Sequence, residues 1–146
     1  MLALIQRVTQ ASVQVDGQTV GRIGPGLLAL VGVQPGDDAP QVQRMAKKLL
    51  GYRVFADDAG KMNRSLTDVD GGLLLVSQFT LAADTSAGMR PGFSTAAPPG
   101  EAESTFNHLV RACRQERPGR VETGRFGAHM VIGLVNDGPV TFLLRT

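Results

Sequence analysis

A short polar segment that closes an apolar run is the first place in this chain where chemistry can be sought. Ser77-Gln78-Phe79-Thr80-Leu81 follows the run Leu73–Val76. The run predicts a buried strand, and a strand that ends in Ser, Gln and Thr leaves backbone N–H groups unpaired at its tip. Such groups, with hydroxyls beside them, can stabilise an oxyanion. An ordinary strand terminus without a catalytic role is the other interpretation.

A second polar segment, Asn136-Asp137-Gly138-Pro139, lies between two runs that predict strands, 130–135 and 140–144. These residue types are common turn formers, so the segment predicts a hairpin turn. A proline that follows glycine and opens a strand is also a candidate for a cis peptide bond. A cis bond swings the two flanking carbonyls to the same side, where they can accept from an ammonium group or block a side chain.

Five arginines fall close together near the second predicted helix and after it: Arg111, Arg114, Arg117, Arg120 and Arg125. The planar guanidinium suits phosphate because it donates two hydrogen bonds at once. Cations are also favoured at a helix C-terminus, where they face the negative end of the dipole. The cluster therefore indicates either a phosphate contact or a solvated helix end.

Other catalytic or metal-binding arrangements have little support. The two histidines, His108 and His129, belong to no zinc-binding pattern, and the aspartates do not match a calcium loop. Ser77 lacks the Gly-x-Ser-x-Gly elbow of a serine hydrolase. Cys113 is the single cysteine and falls at a core position of a predicted helix. We expect no metal and no cofactor.

Alternation and turn residues predict the elements that position these segments. Helices are predicted over 39–50, capped by Asp37 or Asp38, and over 101–115. Strands are predicted over 2–8, 11–15, 19–23, 27–33, 53–55, 73–79, 130–135 and 140–144. The first third reads as an antiparallel meander, and residues 82–100 form a long irregular stretch. The expected class is α+β, an antiparallel, barrel-like sheet with two helices.

Length and composition bound the remaining possibilities. The chain has 146 residues, 42% of them apolar, and a formal charge of +2. That length predicts one domain, 1–146, with a core that needs no disulfide. We expect no membrane span and no secretion signal, and a lone cysteine fits a reducing cytoplasm.

Several motifs, in order along the chain, are similar to those of the D-aminoacyl-tRNA deacylases, of the bacterial type. They are Leu4-Ile5-Gln6-Arg7-Val8, Ala11-Ser12-Val13, Gly60-Lys61-Met62-Asn63, Ser77-Gln78-Phe79-Thr80-Leu81, Arg90-Pro91, Gly124-Arg125-Phe126-Gly127-Ala128 and Asn136-Asp137-Gly138-Pro139-Val140-Thr141. The resemblance covers nearly the whole chain. One departure is Gly92, where members of the family more often carry serine.

The resemblance implies a homodimer that removes a D-amino acid, or glycine, from the terminal ribose of tRNA without a metal. Ser77, Gln78, Phe79 and Thr80 of one subunit would form the catalytic wall. Gly138 and a cis Pro139, with Asn136 and Asp137, would enter from the other subunit and exclude an L side chain. Arg7, Arg90, Arg111, Arg114 and Arg125 are the candidate tRNA contacts.

The implied chemistry fits the strand end. Ester hydrolysis passes through a tetrahedral oxyanion, which the N–H groups of Phe79 and Thr80 can bind. The neighbouring 2′-hydroxyl of the ribose would assist the attacking water. Two other functions stay open: a module that holds aminoacyl-tRNA without cleaving it, and a scaffold whose strand edges pair into an oligomer that binds RNA loosely.

Overall fold

One long strand, β1 (Leu2–Val15), is the centre of the fold because it pairs with three others. The computed structural model describes residues 1–146. The remaining strands are β2 (Gln18–Ile23), β3 (Gly26–Gly32), β4 (Phe55–Ala56), β5 (Met62–Arg64), β6 (Gly72–Ser77), β7 (Val121–Thr123) and β8 (Val131–Arg145). The helices are α1 (Ala39–Gly51) and α2 (Pro99–Glu116), and a 3₁₀ turn covers Phe79–Ala82.

The sheet is mixed. β1 pairs antiparallel with β2, β3 and β8, whereas β3 pairs parallel with β6, and β6 parallel with β7. β2 and β7 then approach each other closely, since a Cβ added at Gly21 would lie 2.5 Å from the Thr123 carbonyl oxygen. Only glycine allows this approach, and it nearly closes the sheet into a barrel.

Two cores lie on the two faces of the sheet. Leu27, Ala29 and Val31 face the helices, while Leu28 faces the inside of the curved sheet, as the alternation of a strand requires. Side chains of α1 and α2 at helical spacing pack into the first core, among them Met45, Leu49, Phe106 and Leu109. No helix is both long and apolar enough to span a membrane.

The expected α+β class, with a barrel-like sheet and two helices, is confirmed, and both predicted helices are present. The Asp38 carboxylate caps α1 by accepting from the Gln41 N–H. The sheet is mixed and not wholly antiparallel, because the β3–β6 and β6–β7 pairs are parallel. The predicted meander order is wrong, because β1 lies between β2 and β3. The predicted central strand ends at Ser77 and does not reach Phe79.

Four of the predicted strands merge in pairs, so that each pair forms one continuous strand. Residues 2–8 and 11–15 both belong to β1, and 131–135 and 140–144 both belong to β8, which begins one residue after the predicted start. The predicted hairpin turn at 136–139 is therefore wrong. Its turn formers make a bulge, because four residues, Asp137–Val140, lie opposite Arg7 alone in the β1–β8 register. The candidate cis bond, Gly138–Pro139, is cis.

Candidate active site

The end of β6 and the turn after it form a fixed corner. The Gln78 N–H donates to the Val31 carbonyl at 2.7 Å, which ties the corner to β3. The first hydrogen bond of the 3₁₀ turn runs from the Leu81 N–H to the Gln78 carbonyl at 3.2 Å. The N–H groups of Phe79 and Thr80 precede that bond, so the turn itself gives them no acceptor. Two adjacent donors are therefore available at the strand end.

Gly32 explains why the turn can pack so closely on β3. A Cβ at this position would lie 3.1 Å from Leu81 Cβ and 3.2 Å from the Gln78 carbonyl oxygen. A larger residue would push the turn outward by a few tenths of an ångström. The position of the two free donors thus depends on a glycine in the neighbouring strand.

The Thr80 hydroxyl has no base beside it. It accepts a hydrogen bond from Gln78 Nε2 at 2.5 Å, and an amide cannot take its proton. A serine or threonine hydroxyl becomes a nucleophile only when a base or a lowered pKa activates it. The geometry favours the backbone donors over this hydroxyl as the reactive feature.

A mostly apolar cavity of about 650 Å³ opens beside the corner. Ser77, Gln78 and Phe79 form one wall, and Phe79 packs on Phe93 with ring centroids 5.2 Å apart. The remaining lining includes Pro98, Phe126, His129, Met130 and Ile132. The cavity is large enough for a ligand of several rings, and its aromatic lining suits flat groups such as a nucleobase or an aromatic side chain.

The sequence did not point to most of these lining residues as candidate site residues. Phe93 lies in the irregular stretch that gave no pattern, and Met130 and Ile132 read as parts of a strand. The signal was present at Phe126, which lies in the motif Gly124-Arg125-Phe126-Gly127-Ala128. Phe126 also packs on the buried Phe106 of α2, with centroids 6.2 Å apart, so its ring is held in place.

The segment Asn136–Pro139, which forms the bulge in β8, is held in place by Arg7. Arg7 Nε donates to the Asp137 carbonyl at 2.9 Å and lies 3.1 Å from Asp137 Oδ2. Arg7 Nη1 donates to the Val54 carbonyl at 2.6 Å. Asn136 Nδ2 donates both to the Arg7 carbonyl and to the Val140 carbonyl, at 3.0 and 3.2 Å, which fixes both ends of the bulge. Gly138 and Pro139 are exposed at its tip.

The two segments lie far apart within one chain. In the register, Ser77 is level with Val31, Ala3 and Leu144, whereas Asn136 is level with Val8, Gly26 and Gly72. Five residues of β6 separate the two levels, about 16 Å along the strands. A single chain does not bring Ser77–Thr80 and Gly138–Pro139 together.

The predicted tRNA-contact arginines fall into two groups. Arg90, Arg111, Arg114 and Arg125 are exposed. The Arg7 side chain is mostly covered, and two of its nitrogens, Nε and Nη1, donate inside the chain. Arg117 and Arg120 of the same cluster both pair with Asp70, which leaves them less available to a ligand.

Three other positions singled out in the sequence, Cys113, His108 and Gly92, lie outside the candidate site or have an ordinary environment. Cys113 is fully buried in α2, and burial raises the pKa of its thiol to about 12, so it carries no thiolate at neutral pH. His108 is exposed on α2. A Cβ at Gly92 would lie 3.8 Å from Asp84 Cβ, so this position also has room for serine.

The chain is similar over nearly its whole length to known D-aminoacyl-tRNA deacylases. The sequence profile of the D-Tyr-tRNA(Tyr) deacylase family matches residues 4–145. A D-aminoacyl-tRNA deacylase of Xanthomonas campestris pv. campestris (strain 8004) is 77% identical over 145 residues, with 99% of each chain covered. One of Stenotrophomonas maltophilia (strain K279a) is 72% identical over 145 residues, with the same 99% coverage.

Solved structures share the fold. The structure named c-Myc DNA Unwinding Element Binding Protein is 39% identical in sequence and superposes with a TM-score of 0.96. The superposition covers 100% of this chain and 99% of that one. A probable eukaryotic D-amino acid tRNA deacylase is 17% identical, with a TM-score of 0.82 and coverage of 98% and 97%, respectively. At that identity the second structure supports the fold alone.

Proposed function

Because the chain belongs to the D-Tyr-tRNA(Tyr) deacylase family, we propose that it removes D-amino acids and glycine from the terminal ribose of tRNA. It is a D-aminoacyl-tRNA deacylase and hence a hydrolase. The observation that carries the proposal is the pair of free backbone N–H groups, of Phe79 and Thr80, at the mouth of an aromatic cavity. The reaction returns free tRNA in the cytoplasm and keeps D-residues out of translation.

The direct test is release of free amino acid from charged tRNA. The purified chain should release a D-amino acid and glycine, and should leave the L ester of the same tRNA intact. Equal rates on the D and L esters would contradict the proposal. Tight binding without release would instead make the chain a binding module.

Hydrolysis at this corner needs few groups. Water attacks the ester carbonyl carbon, its oxygen bonds to that carbon, and the carbonyl oxygen becomes the oxyanion. The N–H groups of Phe79 and Thr80 donate to the oxyanion. The ester C–O bond then breaks, and the ribose oxygen leaves with the proton that the attacking water gives up. The neighbouring ribose hydroxyl positions the water, so the scheme uses no metal or cofactor.

The cavity beside the corner is proposed to take the terminal adenosine. Its rings, in particular Phe93 and Phe126, offer faces on which a base can stack, and each such contact typically contributes about 1–3 kcal/mol. Stacking there would fix the ribose, and with it the ester, against the strand end.

Chiral selection is proposed to come from a second subunit. The Gly138 and Pro139 carbonyls of the partner would occupy the side of the α-carbon on which an L side chain would lie. This is specificity by a repulsive element. Glycine, which has no side chain to exclude, would enter as a substrate. Within this scheme Arg7 is a positioning residue, because it and Asn136 hold the bulge that presents the two carbonyls.

The edge strand β8 is the surface that we propose joins the two copies. Its second edge has no partner strand, and it exposes five large apolar side chains: Val131, Leu134, Val135, Phe142 and Leu143. An exposed, apolar edge of this length normally pairs with another chain. The Gly138–Pro139 bulge lies in the middle of this strand, so a partner on β8 would meet it.

A charge placed on this edge should separate the copies. We expect Val135→Asp to shift the chain from dimer to monomer, because a buried unpaired carboxylate is costly at an interface. Deacylation should fall together with dimerisation. Sedimentation velocity measures the shift from dimer to monomer. Val69→Asp, which alters an exposed valine outside β8, serves as the control. A fully active monomeric variant would contradict the shared site.

Loss of the Thr80 hydroxyl should have little effect. Thr80→Ala keeps its backbone N–H, so single-turnover cleavage of a D-aminoacyl-tRNA should fall by no more than about 10-fold, well below the loss of an oxyanion donor. A trapped acyl ester on Thr80 in the unaltered protein, or a loss of several orders of magnitude, would favour nucleophilic catalysis by the hydroxyl.

The exposed arginines are proposed as the electrostatic contact with tRNA: Arg90, Arg111, Arg114 and Arg125. Replacing one that contacts a phosphate should weaken binding and flatten the plot of log affinity against log salt by roughly one unit. The D-to-L preference should not change, since these groups do not touch the α-carbon. Unchanged affinity and slope after Arg111→Ala or Arg125→Ala would assign that arginine to solvated surface.

A further inference from the structure

A closed loop rises next to the aromatic cavity and takes no part in the bond-making and bond-breaking steps. Asp84 and Gly92 exchange two backbone hydrogen bonds, each of 2.8 Å, which form the neck of the loop. The residues between them, 85–91, are all exposed. We name residues 84–92 the neck loop.

The neck loop is fastened to the site. The Asp84 carboxylate accepts from the Ser86 N–H at 2.9 Å, and Gly88, with φ of 68°, turns the tip. Directly after the neck, Phe93 packs on Phe79 of the candidate catalytic corner. Thr95 Oγ1 then donates to the Ala82 carbonyl at 2.5 Å. The loop is therefore held against the mouth of the cavity at its base.

The tip carries two side chains with no role inside the chain. Met89 is 100% exposed, although it is a large apolar residue. Arg90 is exposed and makes no hydrogen bond or ion pair with another residue of the chain. A free guanidinium beside an apolar, polarisable side chain suits an RNA strand, since the first binds phosphate or stacks on a base and the second packs on a base face.

We propose that the neck loop grips the single-stranded nucleotides that precede the terminal adenosine of tRNA. The proposal rests on the proposed function, which places that adenosine in the cavity. Arg90 is three residues from Phe93, hence within about 11 Å along the chain, the length of one or two nucleotides. The loop therefore reaches the 3′ strand just outside the cavity, and Arg90 and Met89 are substrate-binding residues that act on the leaving tRNA.

The test compares three substrates of increasing length with the same D-amino acid: aminoacyl-adenosine, aminoacyl-CCA trinucleotide and aminoacyl-tRNA. For Arg90→Ala we expect kcat/KM to fall about 10-fold on the trinucleotide and on tRNA, the loss of one charge-assisted contact. On aminoacyl-adenosine it should stay unchanged. Met89→Ala should follow the same pattern with a smaller loss, and Arg90→Lys should recover part of it.

Arg44→Ala is the matched control, because it removes an exposed arginine of α1 and should not distinguish the three substrates. Equal losses on all three substrates, or no loss on any, would overturn the proposal. A loss confined to full tRNA would move the contact to the stem, and a change of oligomeric state would assign the loop to an interface; both outcomes also contradict it. Failure of the unaltered protein to cleave any substrate would instead reject the proposed function.

Discussion

Gly138→Ala is expected to reduce hydrolysis of a D-aminoacyl-tRNA by at least about 100-fold, the usual cost of moving a positioning group by an ångström. A Cβ at Gly138 would lie 2.0 Å from the Val140 nitrogen and 3.2 Å from Asn136 Oδ1. Both neighbours are part of the bulge itself, so the backbone must shift to make room. The carbonyls that we propose to face the substrate would shift with it.

The measurement is single-turnover cleavage of D and L esters of one tRNA, together with the melting temperature of the variant. Gly51→Ala is the matched control, because nothing lies within 4 Å of a Cβ there. An active Gly138→Ala variant that still rejects the L ester would remove the Gly138–Pro139 pair from the account.

The second large effect should come from Phe79→Pro, which deletes one backbone N–H. Phe79 is the first residue of the 3₁₀ turn, where proline is well tolerated because the missing N–H is unpaired within the helix. Gln78, with φ of −141° and ψ of 78°, lies outside the α region that a following proline disfavours. The backbone should therefore keep its course while one oxyanion donor is lost.

Phe79→Ala separates the donor from the ring. Both variants lose the aromatic side chain and its contact with Phe93, but only proline loses the N–H. We expect proline to be slower than alanine by about 10²–10³-fold in the chemical step, the typical cost of one oxyanion-hole donor. Equal rates in the two variants would show that the Phe79 N–H does not stabilise the transition state.

The helices, the fold class and the family were accessible from sequence because each has a local signature. Met45 and Leu49 repeat at helical spacing, and the segment Ser77–Leu81 is specific to a family. The strand count was not accessible in the same way. Turn formers at Asn136–Pro139 predict a hairpin locally, but pairing with β1, a tertiary interaction, turns them into a bulge in one continuous strand.

The candidate site could be proposed from the sequence as two motifs but not as a geometry. The sequence alone proposed Phe79 and Thr80 as site residues but could not show that Gly32 permits their turn to pack on β3. The Arg7 contacts with Asp137 and Val54 join positions that are distant in the chain, so no local pattern reports them. The resemblance offers Arg7 as a tRNA contact, and that assignment stays a prediction; the structure adds that Arg7 Nε and Nη1 donate inside the chain.

The parallel pairs β3–β6 and β6–β7 were missed for a related reason. Leu27–Val31 and Leu73–Val76 are apolar runs that are equally typical of buried strands in either orientation. Only the connection between them, which contains α1 and the β4–β5 hairpin, decides the direction. That long crossover is the usual requirement for a parallel pair.

The central claim, that each site combines Phe79 and Thr80 of one subunit with Gly138 and Pro139 of the other, is tested most directly by mixing two inactive variants. Phe79→Pro and Gly138→Ala should each be nearly inactive alone. After the two are unfolded and refolded together, random pairing makes half of the dimers mixed, and each mixed dimer has one intact site. The account predicts recovery of about a quarter of the unaltered activity, with full D preference. No recovery, in a mixture shown to contain mixed dimers, would contradict the shared site.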